Sequence, residues 1–337
     1  MISNRQRLVL KAIVEEYVKT NEPVGSRTLS KRPELQFSSA TLRNDMADLE
    51  DLGYLEKTHT SSGRIPSEKG YRLYVESILN EKTQEDEYAF PMIDEIFNNA
   101  NLSKEQAISE SMSLVSDLTN YATIVLGSNA NTAKIKKLEF VALQGQYAII
   151  LMVTDQGHVE SKRIIVPEGI STKEIQKVIQ VLDELLHDRL VSEIPLFMNE
   201  NFESEEIMDF IKYHENLISV FVKAFTQMAK DKYLVTGQAN ILSQPEFQDI
   251  SKVKKIFEAI EKRDILRVVE ATSQGITVKI GQENEVTAMQ DCTVITVPYH
   301  SSNGDRGTIS VFGPTRMEYS KIIPLLEYIA DNIKKVV

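Results

Sequence analysis

Ser38-Ser39-Ala40-Thr41-Leu42-Arg43-Asn44-Asp45-Met46-Ala47-Asp48-Leu49-Glu50 is the stretch that decides how the first part of this chain folds. Leu42, Met46 and Leu49 recur at i, i+4 and i+7, the spacing of one buried helix face. Ser38 or Ser39 is placed to cap that helix. It is expected to run to about Leu52, where Gly53 is a natural terminator. At 100° per residue, Ala40, Asn44 and Ala47 then point away from the core, with Thr41 and Arg43 on the flanks. Upstream, Leu10, Ile13, Val14, Tyr17 and Val18 mark an amphipathic helix that Glu22-Pro23-Val24-Gly25 breaks. Ser26 is placed to cap a short second helix over 27–32, which Pro33 ends. Downstream, residues 54–65 read as a β-hairpin with a polar tip at Thr60-Ser61-Ser62-Gly63. Pro66-Ser67 then opens a helix carrying Tyr71, Tyr74, Val75 and Ile78. Three helices followed by a hairpin is the order of a winged helix-turn-helix, expected over residues 1–80.

The outward face of the third helix has the chemistry of base readout. Ala40 permits close approach. Arg43 suits guanine O6 and N7, and Asn44 suits adenine N6 and N7. Ser39 and Thr41 are expected to donate to phosphates beside the helix N-terminus. The hairpin offers Lys57, Thr58, His59, Ser61, Gly63 and Arg64, a cationic, hydroxyl-bearing strip suited to phosphate or minor-groove contact. Each part alone is ordinary, since a helix face carrying Arg and Asn is commonly just solvated. Their joint order favours double-stranded DNA as partner, with a protein-contact module on the same fold as the rival.

Charge separates the two ends of the chain. Residues 1–80 hold 12 Lys and Arg against 11 Asp and Glu, whereas the whole chain of 337 residues carries −11. All the acid excess therefore follows residue 80. A near-neutral head on an acidic body fits a head that meets a polyanion. The longest apolar run, Tyr147–Val153, is far shorter than the ~20 residues of a membrane span, and no membrane partner is expected. No signal-peptide core follows Met1, so the expected location is cytoplasmic. Cys292 is the sole cysteine, which excludes an intrachain disulfide and a multi-cysteine metal site.

Beyond the head the reading is α+β and multidomain. Residues 81–102 are polar and acidic at their start and are expected to be a linker. A helix follows from Ser103 to Tyr121, with Ile108, Met112, Val115 and Thr119 as its stripe. Strands are expected at 138–143, 147–153 and 159–166, then again at 276–280, 293–297 and 308–312. Between these groups lie two helices. One carries Ile175, Val178, Ile179, Leu182, Leu185 and Leu186. The other carries Ile207, Ile211, His214, Ile218, Phe221, Phe225 and Met228 at alternating steps of 4 and 3, a heptad seam. That seam fits either burial within the subunit or a subunit contact; Ile207, Ile211, Ile218, Phe221, Phe225 and Met228 are the candidate dimer residues. A last helix, 319–336, carries Ile322, Leu326, Ile329, Ile333 and Val336. Strands on both sides of the two helices suggest one α+β domain interrupted by a helical one.

No phosphate-binding glycine loop, zinc-protease helix or nucleophile elbow is present, and the five histidines are scattered. An enzyme is therefore not expected, nor any metal or cofactor. Cys292 opens a predicted strand and reads as a small core residue. A small effector held near Tyr299-His300-Ser301-Ser302-Asn303-Gly304-Asp305-Arg306 is the alternative regulatory reading, against an ordinary hairpin loop.

At several of these residues the chain closely resembles the HrcA family of bacterial heat-inducible transcription repressors. The resemblance lies in 10–14, in Glu22-Pro23-Val24-Gly25-Ser26-Arg27-Thr28-Leu29-Ser30, and in Ala40–Glu50. It continues through Leu52–Leu55, His59–Pro66 and Lys69-Gly70-Tyr71-Arg72. It returns at Asp291–Val294 and at Gly313-Pro314-Thr315-Arg316-Met317-Glu318-Tyr319. The resemblance implies an N-terminal winged helix at 1–80 and a discontinuous GAF-like domain at 103–167 and 230–337. It also implies an inserted dimerisation domain at 168–229. The implied function is repression of chaperone operons of the groE/dnaK class by a homodimer on an inverted-repeat operator, the CIRCE element. The chaperonin GroEL is the implied supporting partner, with activity lost on heat stress. One departure is Gln36-Phe37-Ser38-Ser39, where the family often has a proline before the third helix.

Overall fold

A computed structural model describes residues 2–58, 63–80, 89–127, 134–155, 159–166, 169–190, 214–215, 218–221, 233–262, 264–269, 275–300 and 306–335. The chain forms two compact units. The first gathers residues 1–125, 235–300 and 308–337; the second gathers 126–234 and 301–307.

The first unit begins with the head. Helix α1 (Asn4–Thr20) starts in a capping box, the Ser3 side chain accepting from Gln6 N and Gln6 Oε1 accepting from Ser3 N. It ends at Asn21 in the left-handed conformation, φ 56°. Helix α2 (Ser26–Leu29) is shorter than the expected 27–32. Helix α3 (Ser39–Asp51) is capped by Ser38, which settles the choice between the two serines. Strands β1 (Leu55–Lys57) and β2 (Arg64–Pro66) pair antiparallel, and Val24 bridges to Arg64 as a third, single-residue strand. Helix α4 (Glu68–Asn80) follows.

The body of this unit is a five-stranded sheet in the order β7-β3-β10-β9-β8, built from β3 (Ala122–Leu126), β7 (Tyr233–Thr236), β8 (Thr277–Ile280), β9 (Cys292–His300) and β10 (Arg306–Pro314). Helix α9 (Tyr319–Lys335) lies against β9 and meets α5 (Pro91–Phe97) and α6 (Lys104–Thr119); α8 (Ile250–Glu261) also belongs to this unit. Ile93 of α5 is buried in the core, so the linker expected at 81–102 does not extend past residue 90. One continuous apolar cluster joins head residues such as Ile13, Leu49 and Tyr71 to body residues such as Ile295, Tyr319 and Ile329.

The second unit holds a three-stranded antiparallel meander of β4 (Ile135–Ala142), β5 (Tyr147–Thr154) and β6 (Val159–Ile165). Helix α7 (Thr172–Leu186) covers one face, setting Ile175, Val178, Ile179, Leu182 and Leu186 against Leu138, Ile150, Met152 and Ile164. This departs from the sequence reading, which placed these strands in the discontinuous domain and began the insertion at 168. Among the described strands they pair only with one another. The chain leaves the five-stranded sheet after β3 and returns at β7, its neighbour there. Hairpin turns let consecutive strands pair locally, and periodicity alone does not say which sheet a strand joins.

The heptad seam also needs correction. Ile218 and Phe221 are buried in the core of the second unit, in the cluster of Leu138, Ile150 and Leu182. They pack inside their own subunit, not at a dimer face. Ile207, Ile211, Phe225 and Met228 lie outside the described residues.

Among the described residues no helix is long and apolar enough to cross a membrane, and no cluster of His, Cys, Asp and Glu could hold a metal. Cys292 is fully buried at the start of β9, and burial pushes its thiol up to about 12. An unfolded thiol ionises near ~8.5, so this residue favours the fold below that pH and progressively disfavours it above.

Two outcomes follow. Phe221→Ala should lower stability by ~3–5 kcal/mol in chemical denaturation; unchanged stability with loss of self-association would return Phe221 to an interface. Iodoacetamide at about pH 8 should leave Cys292 unmodified in the folded protein and alkylate it in denaturant, read by mass spectrometry. Rapid alkylation of the native protein would show that the strand opens there.

Candidate nucleic-acid interface

The orientation of α3 is set by what it buries. Leu42, Met46 and Leu49 face the core as their spacing requires, and Asp45 joins them. The Asp45 carboxylate accepts two hydrogen bonds from Arg5 of α1, at 2.8 and 2.9 Å. That contact raises the Arg5 guanidinium above its ordinary value, chiefly through the hydrogen bond itself. Gln6 Nε2 donates to Asp48 at 3.1 Å, so the first turn of α1 clips along α3.

With that face inward, Ala40, Arg43, Asn44 and Ala47 are exposed and Thr41 is half-buried. The Ser38 side chain accepts from Thr41 N at 3.1 Å, and its Oγ lies 2.9 Å from Thr41 Oγ1. Thr41 therefore belongs to the cap as well as to the surface. Ser39 departs from the expectation. Its hydroxyl pairs with that of Ser26 at 3.0 Å, pinning the start of α3 to the start of α2. The same contact brings Arg27 and Thr28, exposed on the first turn of α2, to the end of the head where Ala40 and Arg43 lie. Sequence reading did not single these two out, because no periodicity in a four-residue helix marks them.

Charge is graded along α3. Its first half carries Arg43, while Asp48, Glu50 and Asp51 occupy its second half. A polyanion is attracted to the helix N-terminus, where the backbone N–H groups also point, and is repelled from the far end.

Several head cations are committed internally. Arg32 reaches Glu15, Glu16 and Glu34 at 2.9, 3.0 and 3.1 Å. Arg64, expected to touch the duplex, instead bonds Glu50 at 2.6 Å and ties the hairpin base to the end of α3. Gly63, expected to act beside it, is also architectural. A Cβ there would come within 2.7 Å of Pro23, so only glycine lets the hairpin pack against the turn after α1. Both reach inward because the Val24–Arg64 bridge draws this strand into the head. Lys57 is exposed and Thr58 half-buried on the preceding strand and its end. His59 and Ser61 lie outside the described residues. Arg27, Arg43 and Lys57 are exposed and have no ion-pair partner among the described residues, as is also true of Arg7, Lys19 and Lys31 elsewhere on the head.

Comparison with known proteins agrees over the whole length. A family model described as the HrcA protein C-terminal domain matches residues 105–323. A heat-inducible transcription repressor HrcA from Acholeplasma laidlawii (strain PG-8A) is 41% identical over 336 residues, covering 100% of this chain and 98% of that protein. The protein of the same description from Bacillus pumilus (strain SAFR-032) is 38% identical over 344 residues, covering 99% and 97%. A crystal structure described as a hypothetical protein is similar with a TM-score of 0.63 at 26% identity, covering 100% of this chain and 98% of that one. The chain belongs to the HrcA family of heat-inducible transcription repressors, and DNA is accordingly its partner.

Proposed function

We propose that this repressor acts as a homodimer on an inverted-repeat operator of the CIRCE type, through a winged helix-turn-helix at residues 1–80. The observation that carries this is the outward face of α3. Small residues at Ala40 and Ala47 flank Arg43 and Asn44 at the cationic end of a helix whose other face is fully committed to the core. That arrangement suits entry of the helix N-terminus into a major groove, with Arg43 and Asn44 at base edges. In this reading Thr41, Arg27, Thr28 and Lys57 contact phosphates, and His59 and Ser61 keep the same role on the strength of the sequence alone. In this reading the five-stranded sheet and its helices, 103–125 and 235–337, form a GAF-like domain, and 126–234 is the inserted dimerisation domain. The family resemblance adds the chaperonin GroEL as the partner that supports the active repressor and chaperone operons as its targets.

A dimer contact on the second unit is best supported by the outer face of its sheet. Opposite the α7 side, Val141, Tyr147, Val159 and Ile165 are exposed, Val159 and Ile165 to 62% each. Ile149, Leu151 and Val153 lie half-buried between them. Glu139, Ser161 and Arg163 share this face, Arg163 lying over the Tyr147 ring, and a mainly apolar surface with both charge signs on three strands suits a second copy of itself across a two-fold axis.

Fluorescence anisotropy at one fixed salt concentration tests the operator reading. An intact inverted repeat should be preferred to a scrambled half-site by ~10³ or more. Arg43→Ala should cost ~1–3 kcal/mol and relax preference at one base pair per half-site. An equal loss on all sequences would make Arg43 a phosphate contact. Val159→Asp with Ile165→Asp should give monomers in sedimentation velocity while leaving the fold intact. A dimer unchanged by both would place the contact elsewhere.

A further inference from the structure

The head is not merely tethered to the body of the first unit; it is gripped from two sides by charged side chains. On one side α4 supplies Arg72, whose Nε donates to Glu283 Oε1 at 2.8 Å while its Nη2 donates to Glu283 Oε2 and to Val278 O, the latter at 2.6 Å. Glu283, in the turn after β8, also accepts from Ile280 N at 2.8 Å, so the carboxylate is held by the end of β8 as well as by Arg72. One turn earlier Glu68 accepts from Gln282 N at 3.3 Å. Gly281, at φ 54°, leaves room for that carboxylate; a Cβ there would collide with it.

On the other side the grip comes from the body. Arg316, just after β10, donates from Nη1 to Val18 O in the last turn of α1 at 2.7 Å and from Nε to Glu246 at 2.6 Å. Between the two grips sits Tyr319, fully buried, with Tyr71 and Tyr74 of α4 around its ring at centroid distances of 6.0 and 6.3 Å. Its hydroxyl donates to Thr315 O at 2.6 Å and lies 2.9 Å from Thr293 Oγ1.

None of these side chains lies on the outer face of α3. They touch only the two head helices that face away from it, α1 and α4. Their geometry is directional. A guanidinium that meets a carboxylate through two N–H groups and a carbonyl through a third fixes rotation as well as distance. Apolar packing at Tyr319 alone would hold the head close but tolerate tilting about the ring.

We propose that Arg72, Glu283, Arg316 and Glu246 are positioning residues for operator geometry. They fix the rotation of the head on the body, and thereby the half-site spacing that a dimer accepts. This rests on the dimeric operator reading above. Two heads held rigidly engage two half-sites at one separation and one helical phase. Two heads free to tilt engage many separations, each with lower effective concentration.

The test uses the full-length dimer and four duplexes at one salt concentration. These are the intact repeat, the repeat with its spacer lengthened by about 5 base pairs, the repeat lengthened by about 10 base pairs, and one isolated half-site. Wild-type protein should lose ~10²-fold in affinity on the half-turn insertion and recover part of it on the full turn. Arg72→Gln, Glu283→Gln and Arg316→Met should bind the isolated half-site as wild type does. They should bind the intact repeat about tenfold more weakly, with the half-turn penalty reduced to a few-fold. A wild-type spacer profile in all three variants would overturn the proposal. So would parallel loss of half-site binding, which would make these side chains supports of the head's own fold; Glu283→Gln, outside the head, guards against confusing the two. Wild-type protein that binds the repeat no better than the half-site would instead remove the dimeric operator reading itself.

Discussion

The Asp45 carboxylate, 2% exposed in the core of the head, is the constraint on which the rest of the interface depends. An ionised carboxylate taken out of water needs a cation with good geometry or its cost is large. Arg5 supplies both oxygens with N–H donors from the first turn of α1. Only one rotation of α3 satisfies that pair while also burying Leu42, Met46 and Leu49. The same rotation sends Ala40, Arg43, Asn44 and Ala47 to the surface. The inward ion pair and the outward base-reading face are thus two consequences of one helix orientation.

Charge economy extends this logic through the head. Arg32 and Arg64 lie close to carboxylates of neighbouring elements and act as internal ties, joining α2's end to α1 and the hairpin base to α3. Arg27 and Arg43 stay exposed near the start of α3, while its acidic end is turned from the duplex in the proposed docking. A head with almost no net charge can therefore still present a directional field to a polyanion. The acidic body contributes the opposite tendency and disfavours binding in any other pose.

Much of the head was readable before its structure, because its helices are short, strongly periodic and separated by glycine, proline and serine at the right places. A serine cap at 38 or 39, the stripe of α3 and the hairpin itself all follow from local rules. Arg64 shows where such rules stop. A cation beside a polar turn looks like a DNA contact until the return strand is seen to bridge Val24 and bring it to Glu50. Ser39 is similar, since its partner Ser26 is thirteen residues away. The heptad pattern at Ile218 and Phe221 marks burial correctly, but a buried stripe does not say whether the covering surface belongs to the same chain.

What the sequence determined by itself is therefore most of the elements, though not the helix at Pro91–Phe97 or the strands at Ala122–Leu126 and Tyr233–Thr236, together with the buried side of the periodic helices and the residue types offered for base readout. These depend on periods of 2 and 3.6 and on caps and turns, all local in the chain. The tertiary structure alone decided which sheet the strands of 135–165 join, which arginines are spent on internal carboxylates, and how Arg72 of α4 and Arg316 after β10 hold head and body together. Those outcomes hang on contacts between residues as far apart as Arg72 and Glu283 or Val18 and Arg316. No local pattern encodes such pairings. They are selected when one arrangement satisfies every buried charge and hydrogen-bonding group at once.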